Sequence, residues 1–270
     1  MEPRFVDIAG RQLFCLRFAA QDTPRRRLLI APPFGEELNK SRRLLALTAR
    51  ACAAAGAEVL LPDLYGTGDS AGLLEDARWD TWASDLAALD RRHGEQFPTL
   101  PAAYLAVRSG ALLLAAARPA GLAGAAVLLW QPTLKGARFL EQFMRVRIMA
   151  ARLAGQSLAQ KDLDAELETA GRTEIAGYML ARELVQALRD ATLEPADLAG
   201  AARVTLVECS PPPGGQMSMP SAKFVEQLAA AGIAAEAVVQ VCEQFWATQE
   251  VAAPLGLAQH AAEVLLGAEP

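Results

Sequence analysis

Short apolar runs alternate with longer stretches of helical periodicity along most of the chain. Phe5–Ile8 and Leu13–Phe18 read as two strands joined by a glycine-containing turn at Ala9–Arg11. Arg27–Ala31 is a continuous apolar run, the pattern of a strand covered on both faces, and Pro32, Pro33 and Gly35 close it. Leu38–Ala55 repeats at helical spacing and stops at Gly56. Glu58–Leu61 is the next strand. Trp79–His93 is a helix, Ala102–Val107 a strand, Ser109–Ala117 a helix that follows with almost no loop, and Ala123–Leu129 a further strand. This alternation predicts a parallel sheet with right-handed crossovers.

From residue 133 the pattern changes. Phe139–Ala154, Leu158–Glu168 and Glu183–Arg189 carry helical periodicity, and only Glu174–Met179 has extended character. Strand and helix alternation resumes with Arg203–Val207, Ser221–Ala231, Ala235–Val241 and Leu257–Leu266. The expected organisation is an α/β core made of residues 1–132 and 202–270, with residues 133–201 inserted as a helical cap. The sheet should have about eight strands, mostly parallel, with helices on both faces.

Composition narrows the function. The chain has 270 residues, 52% of them hydrophobic, enough for one large core. A net charge of -5 and a pI near 5.2 exclude a general nucleic-acid binder, which needs a basic stripe. The start lacks a basic region followed by an apolar one, and runs such as Leu122–Trp130 are far shorter than the roughly 20 residues that span a bilayer. Cys15, Cys52, Cys209 and Cys242 are scattered without a CxxC pair, as in reduced thiols of a cytoplasmic protein. Two histidines rule out a His-rich metal site and leave a carboxylate site open, and no metal or cofactor is expected.

Two segments compete for the position of a nucleophile. Gly68-Asp69-Ser70-Ala71-Gly72 matches GxSxG, but Ser70 lies nine residues beyond the Glu58–Leu61 strand and no helix follows directly. That chemistry requires a sharp strand-to-helix turn with the next backbone N–H aimed at the oxyanion. Ala106-Val107-Arg108-Ser109-Gly110 has that arrangement. It puts Arg108 at the nucleophile position and Ser109 one step later, and a guanidinium that stays protonated cannot attack an acyl group.

The stretch DLYGTGDSAG (63–72) looks like the DxxGxGxS loop of α/β hydrolases. APPFGEELNKSRR (31–43), LLWQPTLKGARFLEQFMRVR (128–147), IAGYML (175–180) and CEQFWATQE (242–250) together resemble the exosortase A system-associated hydrolase 2 family. The resemblance runs over nearly the whole chain. It implies an α/β-hydrolase fold and a setting in bacterial exosortase, PEP-CTERM and exopolysaccharide loci. In that fold the acid and histidine of a Ser-His-Asp triad follow the last strands. Here Glu208-Cys209-Ser210 and Cys242-Glu243-Gln244-Phe245-Trp246 occupy those places. His93 and His260 lie elsewhere, so the usual triad is absent.

Ligands of open parallel sheets bind beyond the C-terminal strand ends. Phe34 with Ser109 is expected to supply backbone N–H groups like those of an oxyanion hole. Glu36, Glu37, Asn39, Asp63, Tyr65, Trp130, Gln131, Glu243, Gln244 and Trp246 are expected around a pocket. Arg108 either clamps a carboxylate, phosphate or acidic sugar or forms a structural ion pair with Glu36, Glu37 or Glu243. Trp130 and Trp246 either pack in the core or stack on a sugar face. Arg138, Arg145, Arg147 and Arg152 form a basic face, read as solvated surface or as a contact for a membrane or an anionic polymer. Two functions compete. One is ester or acyl hydrolysis through Ser109 or a water activated by a glutamate. The other is a catalytically degenerate fold that binds a small, anionic saccharide or acyl ligand or a partner protein. A homodimer is compatible with either.

Overall fold

A computed structural model describes residues 1–267. Strand β1 (Glu2–Ile8) and strand β2 (Arg11–Phe18) form an antiparallel hairpin. Ala9 (φ 51°) and Gly10 (φ 82°) at its tip both take the left-handed conformation that matches strand twist in a two-residue turn. Then come β3 (Arg26–Ala31), α1 (Glu36–Ala54), β4 (Ala57–Pro62), α2 (Trp79–Gln96), β5 (Ala102–Val107), α3 (Gly110–Ala117) and β6 (Ala126–Trp130). Residues between β6 and the next sheet strand form α4 (Gly136–Leu153), α5 (Gln160–Ala170), β7 (Arg172–Ile175), β8 (Tyr178–Ala181) and α6 (Arg182–Asp190). The chain then makes β9 (Arg203–Ser210), α7 (Met219–Ala230), β10 (Ala235–Val241) and α8 (Leu255–Leu266).

Eight strands form one sheet in the order β1-β2-β4-β3-β5-β6-β9-β10. β1, β2 and β4 pair antiparallel, and every pair from β4 to β10 is parallel. This is the mostly parallel eight-stranded sheet that the alternation of elements predicts, in keeping with the α/β-hydrolase fold that the resemblance implies. β5 and β6 are buried at every position, which explains why their sequences are apolar without alternation.

The sheet has a core on each face. One holds α2, α3 and α7 with Leu29, Tyr104 and Val127, and it continues into the inserted segment through Phe139, Leu163 and Leu184. The other holds α1 and α8 with Leu28, Ile30, Leu105 and Leu128. Burying one such side chain contributes about 2 kcal/mol. Polar anchors cross these layers. Arg27 on β3 donates to Asp90 on α2 at 2.6 Å, and Tyr104 on β5 donates to the same carboxylate at 2.8 Å.

The inserted segment is helical except around the stretch with extended character at Glu174–Met179. β7 and β8 form a hairpin turned by Ala176 (φ 52°) and Gly177 (φ 84°). Each strand has four residues, too short for a period-2 pattern to stand out in the sequence. Thr173, Ile175, Leu180 and Ala181 are its buried positions. The hairpin carries Tyr178 down to the N-terminal part of α1, where the Asn39 side-chain amide donates to its hydroxyl at 2.6 Å.

Candidate functional site

β5 turns directly into α3 at the C-terminal edge of the sheet. Arg108 occupies this turn with φ 54°, a backbone conformation uncommon for a residue with a side chain. Its N–H donates to the Trp130 carbonyl on β6 at 3.0 Å. Two residues on, a Cβ at Gly110 would stand 2.1 Å from the Ala31 carbonyl, so only glycine lets α3 start this close to β3. The backbone is that of a nucleophile elbow, and the side chain on it is a guanidinium.

That guanidinium is engaged on three sides. Nη2 donates to Glu37 Oε1 at 2.9 Å, and Nε donates to both Glu37 carboxylate oxygens at 3.2 Å. Nη1 donates to the Gln131 carbonyl at 3.2 Å. The guanidinium carbon lies 4.8 Å over the Trp246 ring. Both side chains of the ion pair are largely covered, with 11% and 16% exposure. Burial raises the Glu37 carboxyl above its usual range, and Arg108 pulls against that rise. Of the two outcomes for Arg108, the ion pair is present, and Glu37 rather than Glu36 or Glu243 provides it.

Ser109 is buried, and its Oγ accepts from the Phe34 N–H at 3.3 Å. The two residues expected to frame an oxyanion therefore bond to each other. No histidine reaches Ser109 among the described residues. His93 lies in the core with both ring nitrogens unpartnered and its ring edge-on to Phe97. Burial pulls its pKa down to about 4. His260 sits on α8 with a buried, unpartnered Nδ1. The carboxylate nearest the acid position, Glu208, lies near the end of β9 and turns to the start of α7. It accepts from the Ser218 N–H at 2.7 Å and from the Ser218 and Ser221 hydroxyls at 2.5 Å each. These bonds cap a helix.

Ser70 is likewise structural. Its Oγ accepts from the Phe14 N–H and donates to the Asp63 carbonyl, both at 2.8 Å, stapling the loop after β4 to β2. Asp63 in that loop accepts from Arg42 Nη1 at 2.8 Å and from the Asp69 N–H at 3.0 Å. Tyr65 packs in the same loop, and its carbonyl accepts from the Trp82 indole at 2.9 Å.

Other expected pocket residues separate. Trp130 is fully buried against Phe245, while Glu243 and Gln244 are both exposed. The Gln131 side-chain carbonyl accepts from the Cys209 N–H at 2.8 Å. The Cys209 thiol shares a hydrogen bond with Cys242 across the ends of β9 and β10. That bond, with burial, raises Cys209, and the same bond lowers Cys242.

The open space lies to one side of the elbow. A cavity of about 450 Å³ is bounded by α1, the loop after β4 and the β7–β8 turn. Asn39, Arg42, Thr67, Glu75, Tyr178 and Met179 line it, with Gly35 at its inner end. Asn39 is thus the expected pocket residue that faces the space. Glu36 borders it, accepting from the Tyr178 hydroxyl at 3.2 Å. Burial first, and then Glu36, push the Tyr178 hydroxyl up to about 12. Above Gly35 the room is taken by Phe139 and Phe143 of α4, stacked 5.9 Å apart and both packed on Phe34. Among the described residues no cluster of His, Cys, Asp and Glu could hold a metal ion.

Arg42 and Tyr178 were not legible as site residues. Arg42 follows Asn39 by three positions and so shares its helix face, a spacing that points to it. Tyr178 belongs to a segment with no local signal of where it docks.

No family model matches the chain, and no curated protein matches it in sequence. Solved structures do match it. Est1E from Butyrivibrio proteoclasticus with bound ferulic acid superposes with a TM-score of 0.68 at 14% identity over 96% of each chain. A highly thermostable carboxyl esterase from Bacillus coagulans gives a TM-score of 0.60 at 15% identity over 89% of each chain. The alpha/beta hydrolase domain-containing protein 10 from mouse gives a TM-score of 0.55 at 13% identity over 90% of each. At these identities the likeness establishes the α/β-hydrolase fold.

Proposed function

We propose that this chain is a non-hydrolytic α/β-hydrolase fold that binds a small, negatively charged polar ligand beneath a cap formed by residues 133–201. The observation that carries the reading is Arg108 on the elbow, held by Glu37 and covered by Trp246. A guanidinium there cannot form an acyl-enzyme. The neighbouring hydroxyl of Ser109 is buried, occupied by the Phe34 N–H and without an imidazole to take its proton.

The cavity beside the elbow is the binding site in this reading. Its volume lies in the usual range for small-molecule pockets. Arg42 supplies a partly open cation, with its side chain 39% exposed. Asn39, Thr67 and Tyr178 supply hydrogen-bonding groups, and the cation favours a carboxylate or phosphate. The family resemblance supports exopolysaccharide-linked metabolism, so an acidic saccharide is the ligand we put first. It also supports a role near exosortase or polysaccharide assembly, and the scattered, unpaired cysteines support a cytoplasmic setting. Arg108, Phe34 and Ser109 lie outside the lining of this cavity and in this reading serve the fold rather than catalysis.

A fluorophosphonate probe, a short-chain p-nitrophenyl ester and a thermal-shift titration with glucuronate test the proposal together. We expect no label and no turnover, and a stabilisation by glucuronate that glucose does not give and that Arg42→Ala removes. Labelling that disappears in Ser109→Ala, with ester turnover, overturns it in favour of hydrolysis. The ferulic acid held by Est1E, whose fold this chain shares, favours that second reading. Equal response to glucose and glucuronate overturns the choice of an anionic ligand.

A further inference from the structure

We propose that the outward face of α4 is a docking site for an anionic phospholipid surface. α4 buries Phe139, Leu140, Phe143 and Met144 against the rest of the fold. Its other side carries Val146 at 49% exposure, Met149 at 50% and Leu153 at 88%. Arg138, Arg145 and Arg152 repeat every seven residues on that same side, and all three are exposed. With about 100° between successive residues, these six side chains fall within about 120° of the helix circumference.

The charge on this face is not used by the fold. Arg145 and Arg152 make no hydrogen bond or ion pair among the described residues. Arg138 meets only Glu141 on its own helix, at 3.5 Å. The fourth arginine of the helix, Arg147, behaves differently. It points inward, to Glu166 at 2.9 Å and to the Thr173 hydroxyl at 2.7 Å. Three outward arginines interleaved with three exposed apolar side chains are the composition of a helix that lies in a membrane interface. The apolar tips enter the acyl boundary while the guanidinium groups stay at the level of the phosphates.

Charge complementarity selects the occupant. The chain as a whole carries a net charge of -5, so a negatively charged surface repels most of the molecule and attracts this face. The contact is peripheral: among the described residues no helix is long and apolar enough to cross a membrane. None of this depends on the ligand of the cavity.

Co-sedimentation of the full chain with vesicles tests the assignment. One set holds equimolar phosphatidylcholine and phosphatidylglycerol, the other phosphatidylcholine alone. We expect binding to the first set only, suppressed at high salt. Arg145→Glu combined with Arg152→Glu should weaken it by about tenfold or more. Met149→Ser combined with Leu153→Ser should weaken it as well, with unchanged melting temperature because all four positions are exposed. Wild-type protein that stays in the supernatant with both sets overturns the proposal. So does a charge-reversed variant that pellets like the wild type. A homodimer in light scattering that dissociates in Leu153→Glu, with no vesicle binding, would assign the face to a second copy instead.

Discussion

Arg108 Nη2 and Glu37 Oε1 meet at 2.9 Å at the corner between β5 and α3, and both side chains are mostly covered. The pair joins α1 to the β5–α3 turn, so its two halves depend on each other. Removing one partner leaves the other charge buried and unmatched, which costs far more than removing both. Glu37→Ala should destabilise the protein by about 3 kcal/mol. The double substitution Arg108→Leu with Glu37→Leu should recover most of that loss. Urea denaturation of the wild type, the two single variants and the double variant measures the coupling. Additive losses would show that the two groups do not support each other.

Ser109 is expected to matter for stability and not for turnover. Ser109→Ala removes the acceptor of the buried Phe34 N–H and should cost about 1 to 2 kcal/mol. Chemical denaturation reads this directly. An unaltered midpoint would mean that water or another group satisfies the Phe34 N–H.

Gly68→Ala tests the loop that frames the cavity. Gly68 has φ 55°, and a Cβ there would come within 1.9 Å of Asp63 Oδ2. The carboxylate would have to leave Arg42 and the Asp69 N–H. A loss of about 2 kcal/mol or more is expected, combining backbone strain with the broken bonds. Thermal unfolding gives the figure. Ligand binding in the cavity should weaken in parallel, because Arg42 loses its positioning partner.

His93 gives a pH dependence of known sign. Its pKa falls from 6.5 when free to about 4 in the folded core, so the unfolded chain binds the proton more readily. The stability held by neutral His93 is complete above pH 6.5. It is lost progressively as the pH drops through the window from 6.5 towards 4. By about pH 5 the loss should be on the order of 2 kcal/mol. Replacing His93 with Leu should flatten the stability profile between about pH 7 and pH 5. A wild-type profile that is already flat over that interval would contradict the buried, neutral ring.

Legibility differs between fold and site for physical reasons. β5 lies at Ala102–Val107, the bounds its apolar run predicts, because burial on both faces of a sheet dictates residue type locally. The guanidinium on the elbow is legible too, since strand, turn and helix are contiguous in sequence. Its partner is not: Glu36, Glu37 and Glu243 have the same chemistry, and only the angle at which α1 leaves Gly35 selects Glu37. The β7–β8 hairpin shows in the sequence only as extended character at Glu174–Met179, because four-residue strands carry too little pattern to reveal their pairing. Hidden with that pairing is Tyr178, the residue that closes the cavity over Asn39.

The amino-acid sequence by itself determines that a mostly parallel α/β sheet forms, that an arginine stands at a contiguous strand-to-helix turn, and that no histidine follows the last strand directly. These follow from near-neighbour periodicity and from the identity of single residues at a contiguous turn. Only the tertiary structure decides which carboxylate answers Arg108, that Ser109 and Phe34 satisfy each other, and where open space remains. Those outcomes are contacts between residues tens of positions apart. Their geometry is set by how whole elements pack, which no local pattern encodes.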